Sequence, residues 1–281
     1  MSYGSPAGID DVEAYFTHIR GGRPPAPEAL QELQDRYRAI GGSPLDRITR
    51  AQAAALGESL GLPTFVGYRH APPFIEDAAD TARGAGVTRL VGLPLAPHYS
   101  HLSLGGYEKR LRQAWSGELE FVRGFHDHPR FIAALVELLD EALADYRPER
   151  VFFTAHSLPE RILAEGDPYV DQLLRTCRVV AEARPLPAWE FAFQSKSTTG
   201  EPWLGPDVLD AIERSGARRV LVCPIGFVAD HLEILYDLDV EAQEFARARG
   251  VEIRRTASFN DRPAFIAALA AVVGEQLPVR S

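Results

Sequence analysis

The sequence predicts an α/β protein with parallel β-sheet, divided into two domains. From residue 60 onward, short runs rich in β-branched and aromatic residues alternate with helical patterns at a nearly constant rhythm, which is typical of βαβ units. The length of 281 residues is closer to two domains than to one or three, at roughly 150 residues per domain. The rhythm is similar on both sides of residues 125–128, and we place the domain boundary there.

The predicted strands are short apolar runs bounded by turn residues. They span 62–68, 88–95, 119–124, 150–155, 188–194, 217–225 and 251–255. Helical patterns fill the intervals between them, as in 129–146, which begins at Pro129 and places Ile132, Leu135 and Leu139 on one stripe.

The first 60 residues are predicted to be helical, with helices at about 10–20, 27–40 and 46–60 separated by Gly-rich turns. No strand precedes them, although a parallel sheet is expected to begin with one. A last helix, 262–277, is expected to pack back on the first half of the chain.

Composition and charge exclude several classes of protein. Apolar residues make up 46% and charged residues 25% of the chain, which is ordinary globular usage. Because neither an apolar run of about 18 residues nor a signal peptide is present, we expect a cytoplasmic protein without membrane insertion. The net charge of −9 has the wrong sign for nucleic acid as a partner. Cys177 and Cys223 cannot form a four-cysteine zinc or iron–sulfur site, and we expect buried thiols.

Polar and aromatic side chains cluster directly after several predicted strands. Ligands of open parallel sheets bind beyond the carboxyl ends of the strands, so these segments are candidate sites. They are 97–101, 156–160, 195–196 with 203–206, and 226–233, and they include His98 and His156. A single strand-end histidine is about as often structural as functional, but several that converge on one rim favour a functional site.

Glu233, Asp237 and Glu241 are spaced i, i+4, i+8 and would line one face of a helix. A solvated acidic face is the more common meaning of such a pattern. Two observations favour a metal site: the carboxylates begin at the helix N-terminus, where the helix dipole stabilises them, and Glu233 is expected at the same rim as His156. An imidazole with carboxylates behind it suits a borderline divalent cation such as Fe²⁺.

Arginines and hydroxyl groups gather in the early helices, at Arg20, Arg23, Arg36, Tyr37 and Ser43. Guanidinium groups bind carboxylates and phosphates through paired hydrogen bonds. Because the chain has neither a Walker A sequence nor a strand followed by GxGxxG, a nucleotide is poorly supported. Carboxylate-bearing ligands remain, and ordinary surface arginines are the alternative for each single position.

Several segments resemble the signature of the ferrochelatase family, namely 154–160 (TAHSLPE), 194–196 (QSK), 203–207 (WLGPD) and 226–237 (GFVADHLEILYD). Further segments are similar to the soluble bacterial branch that metallates coproporphyrin III, namely 15–20 (YFTHIR), 35–42 (DRYRAIGG) and 95–100 (LAPHYS). The resemblance extends from Tyr3 to about Val273. It implies two Rossmann-like, chelatase-type domains with parallel four-stranded sheets and a cleft for the porphyrin between them. Their expected bounds are 1–125, with the C-terminal helix 262–281 packing on it, and 126–261.

The resemblance also implies roles for individual residues. His156 and Glu233 match the pair that binds the inner iron and serves metal insertion, and Asp237 with Glu241 would continue as a metal relay. Tyr3 matches the tyrosine that ligates iron axially in the product. Positions that hold the macrocycle and its propionates are matched by Arg20, Arg36, Tyr37, Ser43 and Tyr107, and His98 matches a further polar residue of the cleft. The two cysteines do not match the four of cluster-containing relatives, so we expect no iron–sulfur cluster.

The implied function is insertion of Fe²⁺ into coproporphyrin III in haem biosynthesis, by a monomer without a resident cofactor. A regulatory divalent cation stays an open alternative. Two other functions also remain open, namely a protoporphyrin IX ferrochelatase and a non-catalytic haem- or porphyrin-binding protein. A cobalt chelatase is disfavoured because it would usually carry a second histidine where this chain has Glu233. Since relatives carry a strand just before the position of Tyr3, we expect the natural chain to begin upstream of Met1.

Overall fold

The computed structural model describes residues 1–197 and 200–278, which form an α/β chain. The strands are β1 (Arg89–Gly92), β2 (Glu118–Phe121), β3 (Arg150–His156), β4 (Ala188–Gln194), β5 (Arg219–Cys223) and β6 (Glu252–Arg255). The helices are α1 (Val12–Ile19), α2 (Pro27–Ala39), α3 (Leu45–Leu60), α4 (Ile75–Gly84), α5 (Leu104–Ala114), α6 (Pro129–Ala144), α7 (Arg161–Ala164), α8 (Tyr169–Ala183), α9 (Val208–Ser215), α10 (Leu232–Leu235), α11 (Ala242–Arg249) and α12 (Pro263–Gly274). The predicted α/β class is confirmed.

The sheet of the second half contains four parallel strands, as predicted. Their order is β4-β3-β5-β6. The sheet is covered on both faces. Val151 and Phe153 of β3 pack with apolar residues of α6, α8 and α12, whereas Phe152 packs with residues of α9 and α11. Burial on both faces explains why the central strands β3 and β5 are nearly continuous apolar runs in the sequence.

The sheet of the first half is smaller than the expected four strands. β1 and β2 pair in parallel, whereas the predicted strand 62–68 contributes only isolated bridges from Tyr68 to Ser2 and Phe74. A cavity of about 370 Å³, lined by residues of 62–66 and of β1, separates these two segments. Their backbones therefore do not pair, and Pro63 has no N–H group to donate.

Met1 to Tyr3 lie between the ends of the same two segments. The Met1 ammonium group donates a hydrogen bond to Leu93 O (2.7 Å), and the Ser2 amide donates to Gly67 O (3.3 Å). Burial lowers the pKa of the Met1 ammonium to about 5, because a charged group is disfavoured away from water. A start of the natural chain upstream of Met1 stays a prediction.

Helix α12 joins the two halves of the chain. It packs against α3 of the first half, as expected, and also against α6 of the second half. Residues 279–281 of the helix predicted over 262–281 lie outside the described residues. Gln52 of α3 adds a polar link, since its side chain donates to Val228 O (3.3 Å) and Asn260 O (2.8 Å).

Two further expectations concern membranes and thiols. Within the described ranges, every helix is too short or too polar to cross a bilayer. Cys177 and Cys223 are buried free thiols, as predicted. Burial raises the pKa of the Cys223 thiol to about 12, so it is unreactive at neutral pH.

Candidate active site

His156 and Glu233 meet at the carboxyl end of the second sheet. His156 is the last residue of β3, and its carbonyl accepts a hydrogen bond from the Tyr169 hydroxyl (3.0 Å). Glu233 lies in the first turn of α10. His156 Nδ1 is 3.1 Å from Glu233 Oε2, and each side chain is 32% exposed. His156 Nδ1 has no well-aligned hydrogen bond, so the contact is an ion pair when His156 is protonated.

The loop before α10 reaches β3 because Gly226 has no side chain. The Gly226 amide donates to Thr154 O (3.1 Å), and a Cβ atom at this position would lie 2.6 Å from Ala155 Cβ. Asp230 holds the other end of the loop, since its carboxylate accepts hydrogen bonds from Ser258 Oγ (2.7 Å) and Asn260 Nδ2 (2.9 Å). The loop is thus fixed at both ends.

His156 and Glu233 shift each other's pKa in opposite directions. Burial alone would lower the pKa of His156, but the Glu233 carboxylate raises it above its usual value. Burial alone would raise the pKa of Glu233, but His156 and His231 hold it well below its usual range. His231 Nε2 is 3.9 Å from Glu233 Oε2. The sequence interpretation missed His231, although its place two residues before Glu233 was a signal.

Asp237 and Glu241 continue from Glu233, but not along a regular α-helix. Asp237–Glu241 form a π-helical turn, in which the Glu241 amide donates to Tyr236 O (2.9 Å). The expectation that Glu233, Asp237 and Glu241 line one face of a regular α-helix is therefore wrong. A π-turn contains one more residue than an α-turn, which changes the direction of the side chains that follow. Asp237 is 9% exposed, whereas Glu241 is exposed, so the carboxylates extend from the interior to the surface.

Burial raises the pKa of Asp237 to about 7, and the charge of Glu233 adds to the increase, although Ser195 and Arg36 act against it. The Ser195 hydroxyl donates to Asp237 Oδ2, and Arg36 Nη1 is 3.8 Å from Asp237 Oδ1. Among the described residues, no three His, Cys, Asp or Glu side chains are arranged to hold a metal ion. The four predicted metal ligands therefore form a series of positions and not a preformed cage.

Four tyrosines of the first half respond to the charge of Glu233. Burial, followed by smaller effects that include the charge of Glu233, raises the pKa of Tyr3, Tyr15, Tyr37 and Tyr107. Tyr37 and Tyr107 are buried, whereas Tyr3 is 41% exposed and its pKa is raised to about 12. The predicted residues Tyr3, Tyr37 and Tyr107 are thus all within range of the charge of Glu233.

The predicted arginines occupy different environments. Arg20 is exposed, and its guanidinium lies over the Phe16 ring at 5.7 Å. Arg36 reaches from α2 to the second half, where it contacts Asp237 and stacks on Tyr236 at 5.0 Å. Ser43 Oγ accepts a hydrogen bond from the amide of Leu45 (3.3 Å), the first residue of α3.

His98 lies away from the surface of the site. It is 2% exposed, and its Nε2 atom contacts Thr176 Oγ1 of α8 at 2.8 Å. The neighbouring Tyr99 amide donates to Gln172 Oε1 (2.7 Å), and the His101 amide donates to Asp167 Oδ2 (2.7 Å). The segment 97–101, expected at the rim, therefore docks the first half on the second.

Three residues of the first half were missed by the sequence interpretation. Arg69 lies over the Tyr107 ring at 5.8 Å, and its charge acts against the raised pKa of Tyr3. His70 packs on the Tyr3 ring with centroids 4.5 Å apart, and burial together with Arg69 lowers its pKa to about 3. His70 also contacts His18. Arg69 and His70 directly follow the predicted strand 62–68, and His18 lies in the segment 15–20. The rule that ligands bind beyond strand ends could therefore have marked Arg69 and His70.

The same fold occurs in solved chelatases. SirB from Bacillus subtilis with Fe³⁺ matches with a TM-score of 0.59 and 14% identity, covering 83% of this chain and 91% of that one. CbiX, described as the terminal enzyme for biosynthesis of siroheme in denitrifying bacteria, matches with a TM-score of 0.57 and 15% identity, covering 84% of this chain and 93% of that one. Fold and site together define a chelatase-type α/β protein.

The family is shown by sequence. The ferrochelatase family model matches residues 1–277. A ferrochelatase of Herpetosiphon aurantiacus is 41% identical over 296 residues, covering 98% of this chain and 97% of that protein. The coproporphyrin III ferrochelatase of Bacillus subtilis is 40% identical over 298 residues, covering 99% and 96%. The chain belongs to the ferrochelatase family.

Proposed function

We propose that this chain inserts Fe²⁺ into coproporphyrin III and releases two protons, giving iron coproporphyrin III in haem biosynthesis. The observation that carries the proposal is the contact between His156 and Glu233, whose side chains lie 3.1 Å apart at the carboxyl end of the second sheet. Relatives from Bacillus pumilus and Bacillus subtilis with the name coproporphyrin III ferrochelatase support this choice of porphyrin. Iron and porphyrin are substrates, and the proposal includes neither a resident cofactor nor an iron–sulfur cluster.

His156 and Glu233 carry out metal insertion in this proposal. A flat porphyrin resists the metal because two N–H protons occupy its core, so the enzyme must expose the nitrogens and accept the protons. His156 has a neutral form with a free lone pair, and Glu233 strengthens it as a base by raising its pKa. Glu233 itself stays ionised at neutral pH because the histidines lower its pKa. The pair therefore supplies a proton acceptor and a metal ligand at one place.

Asp237 and Glu241 move protons or iron between this pair and the surface. A carboxyl group with a pKa of about 7 takes up and releases protons with equal ease at neutral pH. Glu241 is exposed at the outer end. A regulatory divalent cation would use the same two carboxylates, beside Arg36 (3.8 Å from Asp237).

The first half holds the porphyrin. We assign Tyr3 as the axial ligand of iron in the product, and Tyr37 and Tyr107 as residues beneath the macrocycle. The exposed guanidinium of Arg20 is suited to a propionate, and Arg36 and Ser43 remain propionate residues in the proposal. Arg36 must then exchange its contacts with Glu32 and Asp237 for the propionate. His98 is left out because it is buried against α8.

The proposed arrangement places the porphyrin between two domains, 1–125 and 126–261. The chain acts as a monomer in the cytoplasm, without nucleic acid as a partner. The acidic net charge of −9 supports the absence of nucleic acid, because like charges repel.

The decisive experiment is an anaerobic turnover assay with Fe²⁺ and two porphyrins. Coproporphyrin III fluorescence should fall continuously with excess substrate over many turnovers, and faster than that of protoporphyrin IX. Faster turnover of protoporphyrin IX would replace the substrate in the proposal. Quenching that stops at one porphyrin per chain would show a binding protein without catalysis.

His156→Ala tests the assigned base. Its turnover should fall about 100-fold or more, because the pyrrole proton loses its acceptor. His101→Ala is the matched control, since His101 is exposed and lies outside the proposed machinery. Parent-like turnover by His156→Ala would contradict the assignment.

A further inference from the structure

A row of aromatic rings leads from α4 to Tyr3. Phe74, at the start of α4, stacks on His18 with centroids 5.1 Å apart and planes at 25°. His18 meets His70 edge to face at 5.2 Å and 77°. His70 in turn packs on the Tyr3 ring at 4.5 Å and 46°. The exposed histidine of α1 is therefore linked to Tyr3 through one intervening ring.

A hydrogen bond fixes the angle between the two histidines. Their Nδ1 atoms are 3.0 Å apart, so one must carry a proton and the other must offer its lone pair. A histidine ring rotates about its Cβ–Cγ bond, and a hydrogen bond at Nδ1 restricts that rotation. His18 thereby sets the orientation of the His70 ring, which forms one side of the space available to Tyr3.

The backbone of Tyr3 is already held in place by other contacts. The His70 amide donates to Tyr3 O (2.9 Å), and the Tyr15 hydroxyl donates to Gly4 O (3.0 Å). Gly4 has φ +92° and no room for a Cβ atom, which would lie 2.9 Å from Ala71 Cβ. What remains free is the Tyr3 side chain, which is 41% exposed. The direction of its hydroxyl therefore depends on the ring that it packs against.

We propose that His18 is a positioning residue, which acts through His70 to hold the Tyr3 phenol in the direction that lets its oxygen bind the metal of the iron porphyrin product. The inference rests on the proposed function, because it uses Tyr3 as the axial ligand. A metal-free porphyrin offers no bond to the phenol oxygen. Loss of the His18 hydrogen bond should therefore weaken binding of the metallated porphyrin and leave binding of the metal-free porphyrin almost unchanged.

The test compares two substitutions at one position. His18→Phe keeps an aromatic ring against Phe74 and removes the hydrogen bond, whereas His18→Asn places an amide close to the position of Nδ1. Affinities for ready-made ferric coproporphyrin III and for metal-free coproporphyrin III are measured for each variant. His18→Phe should weaken binding of the ferric form about three- to tenfold, the range of one net hydrogen bond, with less than about a twofold change for the metal-free form. His18→Asn should recover most of the ferric affinity, and the tyrosinate-to-iron absorption band should weaken in His18→Phe alone.

A double-mutant cycle with Tyr3→Phe shows whether the effect passes through Tyr3. In the Tyr3→Phe background, His18→Phe should cause no further loss of ferric affinity. An equal loss in that background, or an equal loss for the metal-free porphyrin, overturns the proposal. If His18→Phe shows no cooperative thermal unfolding transition, the variant is not folded and His18→Gln is used instead. The glutamine amide lies near the position of Nε2, so it also lacks the hydrogen bond at Nδ1.

These measurements use ready-made porphyrins and need no turnover. If the parent chain showed no turnover, the proposed insertion activity would be wrong, but the binding comparison would still test the role of His18. Conversely, an unchanged affinity in His18→Phe would end this inference while leaving the insertion activity intact.

Discussion

The histidine and the carboxylate at the end of β3 define each other's charge. Glu233 raises the pKa of His156, and His156 lowers the pKa of Glu233, in each case against the effect of burial. The pair is therefore one titrating unit, in which removal of either partner takes away the main effect that offsets burial of the other.

Glu233→Gln should lower the pKa of His156, because the neutral amide no longer offsets burial. The titration is followed by the NMR signals of the histidine rings, and turnover should fall about 100-fold or more. Glu244→Gln, an exposed carboxylate on α11, should leave the His156 titration unchanged. A His156 pKa equal to that of the parent would show that the ion pair is not formed in solution.

Asp237→Asn should change how stability depends on pH. The pKa of Asp237 is raised from 3.8 to about 7 in the folded chain, so its protonated form stabilises the fold at low pH and this contribution is lost as the pH rises towards 7. Asparagine stays neutral, so the variant should gain stability relative to the parent by ~3 kcal/mol between about pH 5 and about pH 8, at ~1.4 kcal/mol per pKa unit.

Urea unfolding at the two pH values measures this difference. Ser195 can still donate to the asparagine oxygen, so the fold should be retained. A difference between variant and parent that does not change with pH would show that Asp237 titrates near its usual value.

Several site residues could be predicted from the sequence, and the reason is local. His156 ends an apolar strand and Glu233 begins an acidic series, so strand position and spacing are visible in a single chain. His18 and His70 meet across 52 residues, and no spacing rule connects them. His98 shows the converse, because a strand-end histidine can turn towards a neighbouring helix, and the sequence does not reveal the direction of a side chain.

At the scale of elements, the approach of the 226–231 loop to β3 depends on Gly226. A Cβ atom there would overlap Ala155, whose Cα atom would lie 2.9 Å away. Since the overlap is with backbone and not with the end of a flexible side chain, the loop itself must move.

Gly226→Ala should therefore separate Glu233 from His156. We expect turnover to fall about tenfold or more, as for misplaced catalytic groups, and unfolding free energy to fall by about 1–3 kcal/mol. Gly274→Ala in α12 is the matched control, since its Cβ atom would meet nothing within 4 Å. Parent-like turnover of Gly226→Ala would mean that the loop position is not critical.

Elements were predicted best where pairing is regular. The strands of the second sheet lie within one or two residues of their predicted bounds, because the two central strands, β3 and β5, are almost continuously buried. The strand predicted over 62–68 does not form, because a strand needs a paired neighbour. A cavity lies between this segment and β1, so the two do not pair. The π-turn after α10 was also missed, since the spacing of Glu233 and Asp237 fits an α-helix and the extra residue becomes visible only through the hydrogen bonds.

At the scale of the whole molecule, α12 connects the cores of the two halves. Phe265 is fully buried, stacks on Phe259 at 4.7 Å, and lies 6.4 Å from Phe125. Because one helix completes both cores, the halves should unfold in a single transition.

Phe265→Ala should lower the unfolding free energy by about 3–5 kcal/mol and shift both halves together. Trp115 lies in the first half and Trp189 in the second. In variants that retain only one of these tryptophans, fluorescence in urea follows the unfolding of each half separately. Leu163→Ala, at a side chain that is 57% exposed, should change stability by less than about 0.5 kcal/mol. Two separate midpoints would show that α12 does not couple the halves.

The docking of segment 97–101 on the second half has a consequence for hydrogen exchange. The amides of Tyr99 and His101 donate to side chains of the other half, Gln172 and Asp167 (2.7 Å each). Their protons can exchange with solvent only when the two halves move apart at this seam. Deuterium uptake at these two amides therefore measures how often the halves separate. Slower uptake in the presence of a porphyrin would show that the ligand holds the two halves together.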